Sequence, residues 1–195
     1  MRRSPGGVMR LCLSTSDHAG RRRDVGYRVI TRLLAFVLWP LASLVAPGLG
    51  RSVACSWALR VRFPSEDLTG LSTGTHAAFV AARTKALWRH GTLLGLTSGH
   101  RDAGTQDRLF TAEVRRTGSV ARARRRALPP ANSRHVTGTA LDIRPRDGAH
   151  WLELHGAAHH LYRVYDNEWW HFEYHPEGRP RRVPHPGFSL AEAET

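Results

Sequence analysis

The sequence predicts a single α+β domain, with a small, mainly antiparallel sheet flanked by helices, behind an apolar N-terminal segment. Helical and strand patterns are mixed without the regular βαβ period of a parallel sheet, and no internal repeat is visible. A length of 195 residues supports one domain with a real core. With 41% hydrophobic and 23% charged residues, the composition excludes wholesale disorder and a polytopic membrane protein.

Residues 1–54 are predicted to be a signal peptide or a membrane anchor. Residues 1–32 hold eight Arg and two Asp, a net charge of +6, and the uncharged apolar run 33–50 follows directly. Cations stay on the cytoplasmic side while an apolar segment enters the bilayer. Small residues at Ser52 and Ala54 fit cleavage before Cys55, while an uncleaved anchor and a buried helix of the fold are the alternatives. A signal or an anchor places the rest of the chain outside the cytoplasm.

The remainder divides into three parts. Residues 55–71 are predicted to be a linker, because Pro64, Gly70 and mixed polarity give residues 57–71 no clear pattern. Residues 72–176 carry the patterns of a folded domain. Residues 177–195, rich in Pro, Arg and Gly, are predicted to be a loose tail.

Apolar spacing and capping residues predict four helices in the domain. The first runs from Thr75 to a left-handed cap at Gly91, and the second covers 106–116 after a cap at Asp102 or Thr105. A third begins after Ser119 and must stop before the proline pair 129–130. The fourth covers 147–160 and is amphipathic.

Four short strands are predicted, at 92–97, 139–143, 161–165 and 169–174, with an Asp166-Asn167 turn between the last two. Along the last strand, residues alternate between the two faces of the sheet. This places His171 on one face with Trp169 and Glu173. The opposite face, predicted to be core, then holds Trp170, Phe172 and Tyr174.

Two stretches contain side chains suited to metal chemistry: SRHVTGTALD at 133–142 and EWWH at 168–171. Together they offer two imidazoles and one carboxylate as ligands, plus a second carboxylate. Three such ligands leave a fourth zinc position open for water, as catalytic zinc requires. Zinc lowers the pKa of that water towards about 7, and a nearby carboxylate can take its proton. Glu168 can share a site with His171 only if it lies on the bend after the predicted turn.

The spacing of these residues resembles the signatures of the zinc D-Ala-D-Ala peptidases. The pattern S-x-H-x-x-G-x-A-x-D is matched by Ser133, His135, Gly138, Ala140 and Asp142. The pattern E-x-x-H is matched by Glu168 and His171. An upstream S-G-x-R-x-x-x-x-Q is similar to VanY-type D-alanyl-D-alanine carboxypeptidases and is matched by Ser98, Gly99, Arg101 and Gln106. The resemblance covers about residues 68–174, with the three elements in the family's order.

The resemblance implies a ligand set and a base. His135, Asp142 and His171 would bind one zinc ion per chain. Glu168 would be the general base, which takes a proton from water and passes it to the leaving amine.

The resemblance also implies residues that handle the substrate. Arg101 would hold either the terminal carboxylate of the substrate or the oxyanion of the tetrahedral intermediate. Ser133 and Gln106 would line the substrate cleft or brace the site. His100 departs from the family's pattern, which has an aromatic residue before the arginine. His175 has no matched partner and is predicted to be a surface or helix-face residue.

The function implied by the resemblance is that of an exported bacterial metallopeptidase, which removes the terminal D-Ala from peptidoglycan stem peptides ending in D-Ala-D-Ala. A wall endopeptidase that cuts an L,D bond inside the stem, and a non-catalytic wall-binding module, are the alternatives. The net charge of +13 also suggests a nucleic-acid binder. Because about six of those charges precede the apolar run, the predicted partners are the stem peptide and the membrane, and not a nucleic acid.

Overall fold

A computed structural model, which describes residues 13–188, has helices packed around a four-stranded antiparallel sheet. The α+β prediction is thus confirmed. The helices of the described residues are α1 (Leu13–Val45), α2 (Gly50–Arg62), α3 (Thr73–Lys85), α4 (Ala103–Thr117), α5 (Val120–Arg124) and α6 (Arg146–His155). The strands are β1 (Gly95–Ser98), β2 (Ala140–Arg144), β3 (Leu161–Arg163) and β4 (His171–Tyr174). A π-helical turn, Ala86–His90, extends α3, and 3-10 turns form at Pro130–Asn132 and Gly156–His159.

The sheet has the order β1-β2-β4-β3, so β2 and β4 are its central strands. In their register, Asp142 lies opposite His171 and Leu141 lies opposite Phe172. Directly opposite residues of antiparallel strands point to the same face. Asp142 and His171 therefore share one face, while Leu141 and Phe172, both 0% exposed, point into the core.

The main core lies between this second face of the sheet and helices α3 and α6. Its buried members include Phe79 and Ala82 of α3, Trp151 and Leu152 of α6, and Leu161 of β3. Because these helices occupy the core face, the opposite face of β2 and β4 is left open for a cleft.

Helix ends in the domain follow the predicted capping residues. The Asp102 side chain, and not that of Thr105, accepts the backbone N–H that caps α4, and Ser119 caps α5. Gly91 and Gly118 end their helices in the left-handed conformation. Helix α5 ends at Arg124, before the predicted stop at the proline pair. Beyond this end, the Leu128 carbonyl accepts a hydrogen bond from the side chain of Gln106.

The predicted alternation fails for the tryptophan pair. Strand β4 begins only at His171, and residues 168–170 form the bend after the Asp166-Asn167 turn. Trp170 therefore lines the cleft, whereas Trp169 packs against the core. The core prediction was right for Phe172 and wrong for Trp170.

The predicted linker is irregular only after residue 62, because α2 continues through the first part of it. Cys55 and Leu59 of α2 are buried, together with Phe63, in a second apolar cluster. Further along, Glu66 Oε2 lies 2.9 Å from Nη2 of Arg83 in α3, and Glu66 Oε1 accepts the backbone N–H of Leu96 in β1 at 2.6 Å. Two long-range contacts thus attach this segment to the domain.

Helix α1 packs along α2. The backbones approach closely at Gly50, where a Cβ would lie 2.9 Å from Ser43 Cα. Residues Asp24–Val45 are long and apolar enough to cross a membrane, with a mean hydropathy of 1.6. Val37 is 75% exposed and Leu44 is 81% exposed. An apolar helix of this kind is compatible with a signal or an anchor.

The first part of the predicted tail contacts the folded domain. Val183 forms a bridge with Tyr165, and Arg182 pairs with Glu153 and Asp166. Residues 189–195 of the predicted tail, and residues 1–12 of the predicted basic region, lie outside the described residues.

Candidate metal centre and active-site cleft

A cleft of about 310 Å³ opens on the face of the sheet that the core helices leave free. The structure brings all seven predicted site residues to its walls: Arg101, Gln106, Ser133, His135, Asp142, Glu168 and His171. They come from β2 and β4, from the loops before these strands, and from the start of α4 and the turn before it. The fold therefore unites three segments that are distant in sequence.

Three of these side chains form a group that can hold a metal ion. One ligand atom each from His135, Asp142 and His171 lies within 4.8 Å of the other two. Asp142 Oδ1 is 3.4 Å from His135 Nε2 and 3.1 Å from His171 Nδ1. The pairing of β2 with β4 positions two of the three ligands.

A tight turn brings His135 to the other two ligands. Gly138 has a φ of +68°, and a Cβ there would lie 2.3 Å from the carbonyl oxygen of Gly70. Only glycine adopts this conformation easily and permits so close an approach. The backbone conformation and the close approach therefore explain why the matched pattern has a glycine at this position.

Hydrogen bonds at the other ring nitrogens orient both imidazoles for a metal. His135 Nδ1 donates to the Gly99 carbonyl at 2.6 Å, which leaves Nε2 with a lone pair. His171 Nε2 lies 3.1 Å from Glu173 Oε1, and donation there leaves Nδ1 with a lone pair. Two imidazole nitrogens and one carboxylate oxygen fit the donor set of catalytic zinc.

Asp142 is ionised at neutral pH. Burial raises the pKa of this carboxyl, but without a metal the hydrogen bonds from His135 and His171 outweigh burial and hold the pKa below its usual range. The second oxygen, Oδ2, accepts from Arg101 Nη2 at 3.0 Å. The ligand carboxylate is thus fixed at both oxygens.

Arg101 is held at the cleft by three bonds. Besides Asp142, its Nε donates to Ser98 Oγ at 3.0 Å, and its Nη1 donates to Gln106 Oε1 at 3.1 Å. Gln106 is 2% exposed and donates in turn to the Leu128 carbonyl at 2.7 Å. Gln106 therefore braces Arg101, which fixes a positive charge beside the metal ligands.

Glu168 lies on the bend before β4. This is the position that was predicted to let Glu168 share a site with His171. Its Oε2 is 3.9 Å from His171 Nδ1, and the residue is 9% exposed. Burial raises the pKa of Glu168 to about 7, against a lowering by His171. A carboxyl with this pKa can both accept and release a proton near neutral pH.

The sequence placed Glu173 on the same face as His171, but it did not predict two further residues behind that ring, Tyr165 and His175. The Tyr165 ring stacks on the His171 ring at 5.0 Å, and its hydroxyl donates to Glu173 Oε1 at 3.3 Å. His175 is 9% exposed and its Nε2 lies 2.9 Å from Glu173 Oε2, so the prediction of a surface residue was wrong. The spacing of two residues in HFEYHPE, which places His171, Glu173 and His175 on one side of an extended chain, is the signal that could have found His175.

A family model described as the D-alanyl-D-alanine carboxypeptidase VanY matches residues 75–164. This part of the chain is similar to the VanY family. The matched range contains Arg101, His135 and Asp142, and it ends four residues before Glu168. The resemblance found in the sequence is thus confirmed. We call the predicted domain, residues 72–176, the VanY-type domain; it is a carboxypeptidase domain.

Three solved structures are among those to which the chain is similar. A vancomycin-resistance D,D-pentapeptidase VanY in complex with Zn(II) is 21% identical, with a TM-score of 0.47 over 53% of this chain and 72% of that one. VanYB in complex with D-alanine-D-alanine is 20% identical, with a TM-score of 0.48 over 53% and 71%. The L,D-carboxypeptidase DacB from Streptococcus pneumoniae is 27% identical, with a TM-score of 0.44 over 55% and 67%. No curated protein sequence matches the chain.

Proposed function

We propose that the VanY-type domain is a zinc-dependent peptidase that removes the terminal D-Ala from peptidoglycan stem peptides ending in D-Ala-D-Ala. One observation carries the proposal. In a domain of this family, two imidazole nitrogens and a carboxylate oxygen converge within 4.8 Å, and a carboxyl with a pKa of about 7 lies beside them.

His135, Asp142 and His171 would hold the zinc ion, which when bound supplies Lewis acidity and lowers the pKa of water. Glu168 takes a proton from the attacking water as the oxygen adds to the scissile carbonyl carbon. The same carboxyl then gives this proton to the amine of the leaving D-Ala as the C–N bond breaks.

Arg101 stabilises the negative charge of the substrate or of the reacting oxygen. Its guanidinium cannot swing away, because Ser98, Gln106 and Asp142 hold it from three sides. A fixed cation beside the reacting atoms stabilises developing charge without reorganisation.

We also propose that the protein is exported and stays at the membrane through α1. The apolar stretch Asp24–Val45 and its exposed side chains support an anchor. Cleavage before Cys55 would cut inside α2, whose residues Cys55 and Leu59 are part of a buried cluster. Immunoblotting of membrane and soluble fractions tests this: a full-length band in the membrane supports the anchor, and a shorter soluble band contradicts it.

Incubation of the detergent-solubilised full chain with a pentapeptide ending in D-Ala-D-Ala, followed by mass spectrometry, tests the activity. The expected product has lost one alanine, and a chelator is expected to stop its formation. Loss of a larger fragment would indicate an endopeptidase instead. A protein that neither binds zinc nor releases D-Ala contradicts the proposal.

The role of Glu168 is tested by Glu168→Ala. Zinc is expected to stay bound, because the three ligands remain, while D-Ala release falls by about 10²–10⁴-fold. Glu153→Gln serves as the control, because Glu153 lies away from the cleft and pairs with Arg163 and Arg182. Turnover by Glu168→Ala at the level of this control contradicts the assignment of the base.

A further inference from the structure

Four side chains form a line from the metal ligands to the protein surface. They alternate between imidazole and carboxylate at every second residue: His171, Glu173, His175 and Glu177. Their successive contacts are 3.1 Å, 2.9 Å and 3.0 Å long. The first member points its Nδ1 at the other ligands, and the last, Glu177, is 71% exposed at its side chain.

Glu173 is the fixed centre of this line. It is 4% exposed, and it lies opposite Ala140 in β2, whose small side chain leaves room on that face for the carboxylate. Oε1 faces both His171 Nε2 and the Tyr165 hydroxyl, while Oε2 faces His175 Nε2. Both oxygens therefore have partners from within the domain, and the carboxylate is held in one orientation.

The two histidine ligands are oriented by different groups. His135 donates to a backbone carbonyl, which no side-chain substitution removes, whereas His171 donates to the side chain of Glu173. An anionic acceptor fixes the tautomer of a ligand histidine and makes the other ring nitrogen a stronger donor to the metal. Tyr165 adds a second restraint, because its ring covers one face of the His171 ring.

We propose that Glu173 is a positioning residue, which acts through His171 to set the affinity of the site for zinc. This inference rests on the proposed zinc site. Without Glu173, the His171 ring loses its acceptor at Nε2, so the tautomer and the ring orientation that present Nδ1 are no longer enforced.

Zinc affinity of the detergent-solubilised full chain, measured by competition with a chromophoric chelator, tests the proposal. Glu173→Ala is expected to weaken zinc binding by about 10–100-fold. Glu173→Gln, whose amide oxygen can still accept from His171 Nε2, is expected to recover part of that loss. Glu177→Gln removes the charge at the exposed end of the line and is expected to leave zinc affinity at the wild-type level.

A second variant separates positioning from folding. Glu66→Ala removes a buried carboxylate that pairs with Arg83, far from the ligands in sequence, and is expected to lower the melting temperature without a matching loss of zinc affinity. With cobalt in place of zinc, the visible absorption spectrum of Glu173→Ala is expected to shift, while that of Glu66→Ala stays as in the wild type.

The outcomes are distinct. If Glu173→Ala binds zinc within twofold of the wild type, or if Glu66→Ala weakens binding equally, the positioning role is wrong while the proposed function stands. If the wild-type chain itself binds no zinc, the proposed function fails and the positioning role fails with it.

Discussion

Replacement of Glu66 by alanine is expected to destabilise the domain strongly, because Glu66 is the partner of a buried charge. Arg83 is 1% exposed, and its Nη2 lies 2.9 Å from Glu66 Oε2. Glu66 Oε1 accepts the backbone N–H of Leu96 at 2.6 Å. Removal of the carboxylate thus leaves a buried guanidinium without its counter-charge and a strand N–H without its acceptor.

The size of this effect follows from the burial of the pair. Removal of one partner of a buried ion pair costs about 3–5 kcal/mol, which is about 10²–10⁴-fold in the folding equilibrium. For a chain of this size, the melting temperature is expected to fall by about 6–20 °C.

Urea unfolding followed by far-UV circular dichroism measures the change. Glu153→Ala provides a surface control, since the Glu153 side chain is 34% exposed and its ion pairs with Arg163 and Arg182 contribute at most about 1 kcal/mol. The double variant Glu66→Ala/Arg83→Met is expected to recover part of the loss, because it removes the unpaired charge. A Glu66→Ala protein within 1 kcal/mol of the wild type would refute the reasoning.

Two further predictions concern a brace of the cleft and a buried thiol. Gln106→Leu keeps the volume of a 2% exposed side chain but removes the acceptor of Arg101 Nη1, so kcat/KM is expected to fall by about 10–100-fold with unchanged zinc content. Steady-state kinetics with metal analysis measure this, and unaltered kcat/KM contradicts the bracing role. Burial raises the pKa of Cys55 to about 11, so at pH 8 the thiol is protonated and is expected to resist iodoacetamide in a folded Cys12→Ser protein and to react in urea. Mass spectrometry measures the adduct, and rapid modification of the folded protein contradicts the prediction.

Much of the site could be predicted from the sequence, because its residues have fixed local spacings. The turn at Gly138 sets the separation of His135 from Asp142, and the bend before β4 sets that of Glu168 from His171. Such spacings are visible in a linear pattern. All seven predicted residues consequently lie on one cleft.

The features that the sequence did not predict depend on contacts between distant segments. Glu66 and Arg83 are 17 residues apart, and nothing local indicates that they form a buried pair. The alternation of faces holds only within β4, and Trp170 lies just before this strand. The face on which Trp170 lies therefore depended on where the strand starts. His175 lies after the last strand, and only the position of Glu173 makes it a buried partner.

The separation of the ligands along the chain has a consequence for folding. His135 and His171 are 36 residues apart, and strands β2, β3 and β4 all lie between or at these positions. An ion bound to both histidines acts as a cross-link that closes this loop, and the loop-closure entropy removed from the unfolded chain corresponds to about 4 kcal/mol. The proposed zinc ion would therefore stabilise the pairing of three of the four strands. The stability of the folded sheet would then depend on the supply of metal where the chain folds.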